Sequence, residues 1–187
     1  MASTHTNTST KTETFTRILG IQSQFKIAFK RIMDYTDEKC QPYLDAIKAK
    51  KINFISFWAY KFDDFGEKEK WCELTLYVDW EKHERFTLEG NNEISLKRVW
   101  NGIIPDISVA VEMIEECISE FELIPTFSIN FVKNISEDEY KHYMKILGLV
   151  SCKKVQWKNN KNKAIYASTP KELPELSAEV YVLSEDI

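Results

Sequence analysis

Residues 51–80 constrain this chain more than any other stretch. KINFISFWAYKF is followed by a polar turn, DDFGEKEK, and then by WCELTLYVDW. In the first run Ile52, Phe54, Trp58, Tyr60 and Phe62 fall on one side of a pleat, with Ile55, Phe57 and Ala59 on the other. In the second, Cys72, Leu74, Leu76, Val78 and Trp80 oppose Trp71, Glu73, Thr75, Tyr77 and Asp79. A helix would scramble both sets, because its side chains repeat every 3.6 residues and not every two. Aromatic and β-branched residues alternating over this length predict paired strands, with Asp63–Gly66 as the turn. A long antiparallel hairpin therefore forms the centre of one sheet.

A hairpin this apolar needs cover on at least one face, and 187 residues suffice to supply it within one domain. The chain has a net charge of -4, so it lacks the basic face that phosphate neutralisation requires. No nucleic acid is expected. No run approaches the roughly 18 apolar residues of a membrane span, and the N-terminus carries no apolar signal core. No membrane is expected either. The cysteines at 40, 72, 117 and 152 never form a C-x-x-C pair. They read as reduced packing residues of a cytoplasmic protein.

The cover can be sought along the chain. Residues 1–14, almost all Ser, Thr and other small polar types, cannot bury apolar surface and read as a flexible tail. From 15 to 187 the chain reads as one domain. Phe15, Ile18, Gln22, Phe25, Phe29 and Ile32 recur at helical spacing and predict a first helix of about 18 residues. A second, shorter helix has Pro42 in its first turn and Tyr43, Leu44 and Ile47 inward. After the hairpin, Arg85–Leu88 reads as a short strand, and Trp100 has no clear place.

A third helix opens at Pro105-Asp106, turning Ile107, Ala110, Val111, Ile114, Ile118 and Phe121 inward and Glu112, Glu115, Glu116 and Glu120 to solvent. It ends before Pro125. Phe127, Ile129 and Phe131 alternate with Ser128 and Asn130 as a third strand. Ser136 and Glu139 form a capping box that opens a helix to about Leu147, with Gly148 past its end. Short strands follow at 153–158 and 163–167, around the Asn159–Asn162 turn, and a last strand at 178–183. The fold class is α+β: a central antiparallel sheet packed by about three helices.

Concentrated chemistry is missing from the sequence. The histidines stand at 5, 83 and 142, with no metal-ligand spacing, so no metal is expected. Five glycines, none at phosphate-loop spacing, remove the nucleotide fingerprints, and no cofactor is expected. No nucleophile elbow is present. Asp79, at a strand end beside Trp80, is the one carboxylate that could serve an enzyme. A hydrogen-bonded strand-end role is the alternative. Trp58, Trp71, Trp80 and Trp100 could stack on a base or a sugar, or pack in the core or at its rim.

Two stretches carry a family resemblance. One is TETFT at 12–16, leading into the first helix. The other is the third helix running into EFELIPTFSINFV at 120–132. Together, in this element order, they resemble the HORMA family and especially its bacterial members. The resemblance implies a core at 15–133 and a C-terminal safety belt at 134–187, in a non-enzymatic adaptor. It implies that a closure-motif peptide adds as a strand along Thr126, Phe127, Ser128, Ile129, Asn130, Phe131 and Val132. The belt would wrap that peptide, with Ile165, Tyr166, Val180, Tyr181 and Val182 in the belt and 178–183 pairing on the far edge of the hairpin.

Bacterial members of about this length look like sensors of cyclic-nucleotide antiphage defence (CBASS). The implied partners are a cGAS-like nucleotidyltransferase, activated by the peptide-bound state, and a second HORMA protein. A further implied partner is an AAA+ remodelling ATPase that pulls on the N-terminus, with Thr10, Lys11, Thr12 and Glu13 as its handle. The alternative of a different class is an immunity or inhibitor protein that blocks a toxin through a fixed acidic surface.

Overall fold

The computed structural model describes residues 14–95, 107–150, 154–170 and 172–184. The hairpin is present as β2 (Ile52–Phe62) and β3 (Lys68–Val78). Its turn closes on Asp63, whose carboxylate accepts from the Phe65 and Glu67 amides at 2.8 Å, while Gly66 takes φ +79°. That left-handed angle is one glycine adopts without steric cost.

Four further strands join this pair: β5 (Ile124–Phe131), β6 (Gln156–Trp157), β7 (Asn162–Ser168) and β8 (Leu176–Leu183). The strand order is β5-β2-β3-β8-β7, antiparallel throughout, with β6 lying parallel along the first residues of β3. The last strand therefore pairs on the far edge of the hairpin, as the resemblance implied, in register Cys72↔Val182 to Val78↔Leu176.

One face of the sheet carries the core. Ile55, Phe57, Ala59, Cys72, Leu74 and Leu76 are fully buried there against α1 (Arg17–Ile32), α2 (Asp37–Lys48) and α4 (Ser108–Phe121). Ile52 belongs to this core face and not with Phe54, because the pairing of β2 with β5 slips by one residue between them. A bulge inserts a residue and flips the alternation, which periodicity alone does not show.

The first helix starts two residues later than its spacing predicted, since Phe15 lies in β1 (Thr14–Thr16), paired with β4 (Glu93–Ser95). Its buried stripe is also rotated. Arg17, Gly20, Ile21, Gln24, Phe25, Ala28, Phe29 and Ile32 face inward, while Ile18 and Gln22 are only half-buried. Small and polar residues hold inner positions that a count of bulky residues misses. Gly20 is there for room: a Cβ would meet Phe15 at 2.8 Å and Ile94 at 2.9 Å.

Other readings need smaller changes. Tyr43, Leu44 and Ile47 of α2 are buried as expected, but Pro42 sits in the second turn, after a start capped by Thr36. The predicted strand at 85–88 is instead the end of α3 (Trp80–Leu88). Asp79 accepts from the Lys82 amide at 3.0 Å and starts that helix, which takes Trp80 out of the strand. The inward stripe of α4 and the capping box of α5 (Glu137–Ile146) form as read, with the Ser136 hydroxyl accepting from the Glu139 amide at 3.1 Å. Strand β6 is shorter than the 153–158 expected and pairs with β3, not with β7. Trp100 and the helix opening at 105–106 lie outside the described residues.

Candidate functional site

Strand β5 is the terminal strand of the sheet, because β7 and β8 are seated at the opposite edge. Its neighbour β2 pairs Ile55 with Ile129, Ser56 with Ser128 and Phe57 with Phe127. Just past the strand, Val132 donates inward to the Lys51 carbonyl at 2.9 Å. Backbone groups alternate along a strand, so Asn130, Ser128 and Thr126 also point their amides at β2. The amides of Phe127, Ile129 and Phe131 then point outward. Pro125, which has no N–H, falls at an outward position, where no ladder bond is lost. The outcome is an edge with a regular row of backbone groups and no strand beside it among the described residues.

The side chains of the same residues are already committed. Phe127 stands edge-on to Phe29 at 5.2 Å and to Tyr43 at 5.4 Å between ring centroids. Burial among these rings pushes the Tyr43 hydroxyl up to about 12. Phe131 is met by Tyr140 at 5.6 Å and Tyr143 at 6.1 Å from α5. A ligand at this edge would therefore meet backbone groups on a strand made rigid by aromatic packing.

The segment after β5 leaves the edge in a defined way. Glu139 of α5 pairs with Lys51, and the Tyr43 hydroxyl donates to the Leu147 carbonyl at 3.2 Å. Nine residues later Gln156 lies beside Glu69, on the outer edge of β3.

A second constellation secures the far end of that segment. Glu175, in the turn before β8, is wholly buried and takes three charge-assisted hydrogen bonds. Arg17, the first residue of α1, gives Nε at 2.9 Å and a second guanidinium nitrogen at 2.6 Å, and His83 of α3 gives Nδ1 at 2.9 Å. Arg17 also donates to the Glu172 carbonyl at 2.8 Å. Burial pushes the Glu175 carboxyl up, but the Arg17 and His83 bonds outweigh it and hold it down at about 2. The start of the first helix, α3 and the root of the C-terminal hairpin are tied together here.

The residues named for the peptide and for the belt lie at opposite edges of the sheet. Thr126, Phe127, Ser128, Ile129, Asn130, Phe131 and Val132 run along or just past β5. Ile165 and Tyr166 of β7 and Val180, Tyr181 and Val182 of β8 lie at the other edge of the sheet, with β2 and β3 between. Val180 is core, and Tyr166 and Val182 pack on the core. The handle at Thr10, Lys11, Thr12 and Glu13 lies outside the described residues. Asp79 is a helix cap, its backbone amide donating to the Glu175 carbonyl at 2.7 Å. Among the described residues no cluster of His, Cys, Asp and Glu could hold a metal, and no helix is long and apolar enough to cross a membrane. The Arg17–Glu175–His83 group was missed. Its members are scattered along the chain, Arg17 and Glu175 lying 158 positions apart, and no local spacing signals it.

No family model matches the chain, and no curated protein matches it. Among solved structures it is similar to a chain of the E. coli MS115-1 HORMA:CdnC:Trip13 complex, at 12% identity over all of both chains and a TM-score of 0.40. It is also similar to C. elegans HTP-2 bound to the HIM-3 closure motif, at 11% identity, 91% of this chain, 88% of that chain and a TM-score of 0.49. A second E. coli MS115-1 structure, a CdnC:HORMA-deltaN complex, covers 92% of this chain and 88% of that one, at 10% identity and a TM-score of 0.38.

Proposed function

We propose that this chain is a HORMA-type adaptor that captures a short closure peptide as an added strand on β5. The single observation that carries the reading is the strand order. With β8 and β7 seated on β3, the outward amides of Phe127, Ile129 and Phe131 are left at an edge strand. Strand addition uses such an edge for affinity through main-chain hydrogen bonds and alternate side-chain positions for specificity. The segment 134–187 then supplies the belt, since it leaves the end of β5 and returns to the sheet on the far side.

The captured state would signal to a cGAS-like nucleotidyltransferase, and an AAA+ remodeller would reset it by pulling on the handle at 10–13. A second HORMA protein is a natural donor of the closure peptide. These partner classes follow from the sequence resemblance, and the buried Arg17–Glu175 pair supports the reset. Force on the N-terminus reaches Arg17 at the start of α1, and Arg17 holds the root of β8.

The test uses a peptide selected by display against the whole chain. Ile129→Pro removes one outward amide on an edge strand, where proline is tolerated. The expected result is loss of peptide capture with the melting transition kept, and protection of 134–187 from protease only when wild-type chain holds peptide. Undiminished capture by Ile129→Pro, with proteolysis of 134–187 unchanged by peptide, overturns the proposal and favours the fixed-surface inhibitor reading.

A further inference from the structure

Resting on the strand-addition reading of β5, we infer that the β5 edge of one copy takes the threonine-rich tail of a second copy as its added strand. Threonine occupies every even position from 4 to 16, in strict alternation with His5, Asn7, Ser9, Lys11, Glu13 and Phe15. By composition this stretch is a flexible tail. Its period says more, because a β-branched residue at every second place is the pattern of a strand. Where the structure describes the repeat, it is one. Thr14–Thr16 forms β1 and pairs with β4, with Thr14 and Thr16 exposed and Phe15 half-buried. The threonines at 4, 6, 8, 10 and 12 lie outside the described residues and carry the same alternation over nine further positions.

Strand β5 offers two rows that match the two rows of the repeat. Phe127, Ile129 and Phe131 pack on the core yet stay half-buried, so each still shows a flank at the edge. Ser128 and Asn130, in the other row, are exposed. An added strand sets its side chains beside these rows, residue for residue. Threonines opposite Phe127, Ile129 and Phe131 make aromatic and β-branched pairs, and Asn7 and Ser9 then fall beside the polar row. In an antiparallel pair the amides and carbonyls of those threonines face the outward groups of the same three residues. The lengths agree as well, nine positions from 4 to 12 against the eight of Ile124–Phe131.

Reach favours a second copy over the chain's own tail. Strand β1 sits beside the root of β8, since a Cβ at Gly20 would meet both Phe15 and Leu173. From β8 to β5 the strand order leaves three strand spacings, about 14 Å. Crossing them uses about four residues of extended chain. A tail folding back on its own copy could then set only Thr4, Thr6 and Thr8 on β5. The tail of a second copy can set all five. Each copy gives one tail and one edge, a head-to-tail contact that does not close on itself. Closure peptide and tail would compete for the same amides, and a seated tail would withhold the handle at 10–13 from a remodeller.

Sedimentation velocity on the whole chain, over a rising concentration series, is the test. Expected is association that weakens about tenfold in Thr6→Pro/Thr8→Pro, which removes two amides facing β5. Thr6→Val/Thr8→Val keeps the branch and both amides, and should preserve association. Ile129→Pro should weaken it from the other side. Mixing the Ile129→Pro chain with the Thr6→Pro/Thr8→Pro chain should give a complex of one copy of each and nothing larger. The first then supplies only a tail and the second only an edge. A wild-type chain that stays monomeric, association indifferent to the tail prolines or to Ile129→Pro, or a mixture that fails to pair overturns the inference. Tail prolines that tighten capture of a display-selected peptide by a monomer would place the tail on its own β5, and overturn it too. A monomer that captures such a peptide at β5 leaves the clasp standing. Tail-dependent assembly without capture of any selected peptide refutes the closure-peptide reading alone.

Discussion

At the scale of single residues, Glu175 joins segments that the sequence holds far apart. Its carboxylate is buried, and it stays ionised because Arg17 and His83 both donate to it. Its ordinary value is 4.5 and it is held at about 2, so the folded state favours the ionised form. The stability it contributes is present above pH 4.5 and is lost as the pH falls from there toward 2. The shift corresponds to on the order of 3 kcal/mol at neutral pH. Glu175→Gln should therefore lower the melting temperature at pH 7 and flatten the acid limb of the stability profile between pH 4.5 and 2. Urea unfolding at stepped pH reads both effects. Removing one member of a buried pair leaves the other charge uncompensated, so Arg17→Met should be destabilising as well, on the order of 3 kcal/mol. None of this was legible in the sequence. Arg17 stood beside a polar tail, and His83 was one of three scattered histidines.

Single elements were read more easily where their chemistry is local. Ser136 and Glu139 form the capping box their spacing promised, and α5 starts at the next residue. Ser136→Ala should cost about 1 kcal/mol. Because α5 meets the end of β5 through Tyr140 and Tyr143 on Phe131, the same change should raise amide exchange in α5 more than in α4. Strand β5 was equally clear, since Phe127, Ile129 and Phe131 alternate with Ser128 and Asn130. Residues 85–88 failed for a stated reason. Their helix is set by Asp79 capping from a strand end, where the sequence reading offered a hydrogen-bonded or a catalytic carboxylate and no helix start. The bulge that puts Ile52 on the core face, and the small residues that rotate the buried stripe of α1, also depend on partners that a single stretch does not reveal.

Across the whole molecule, the hairpin at 51–80 is the fixed plate between two dissimilar edges. One edge holds β8 and β7, whose register on β3 runs unbroken from Cys72 to Val78. The other is β5, supported by aromatic packing from α1 and α2 and ending under α5. The family resemblance placed 178–183 on the far edge of the hairpin, and the residues named for the belt lie across the sheet from those named for the peptide. The measurement that bears most directly on the clasp is amide hydrogen exchange along β5, with and without a display-selected peptide. Strong new protection is expected at Phe127, Ile129 and Phe131, with Ser128 and Asn130 already slow before peptide is added. Peptide binding that leaves those three amides exchanging as before, or that protects β7 instead, would contradict a clasp at β5.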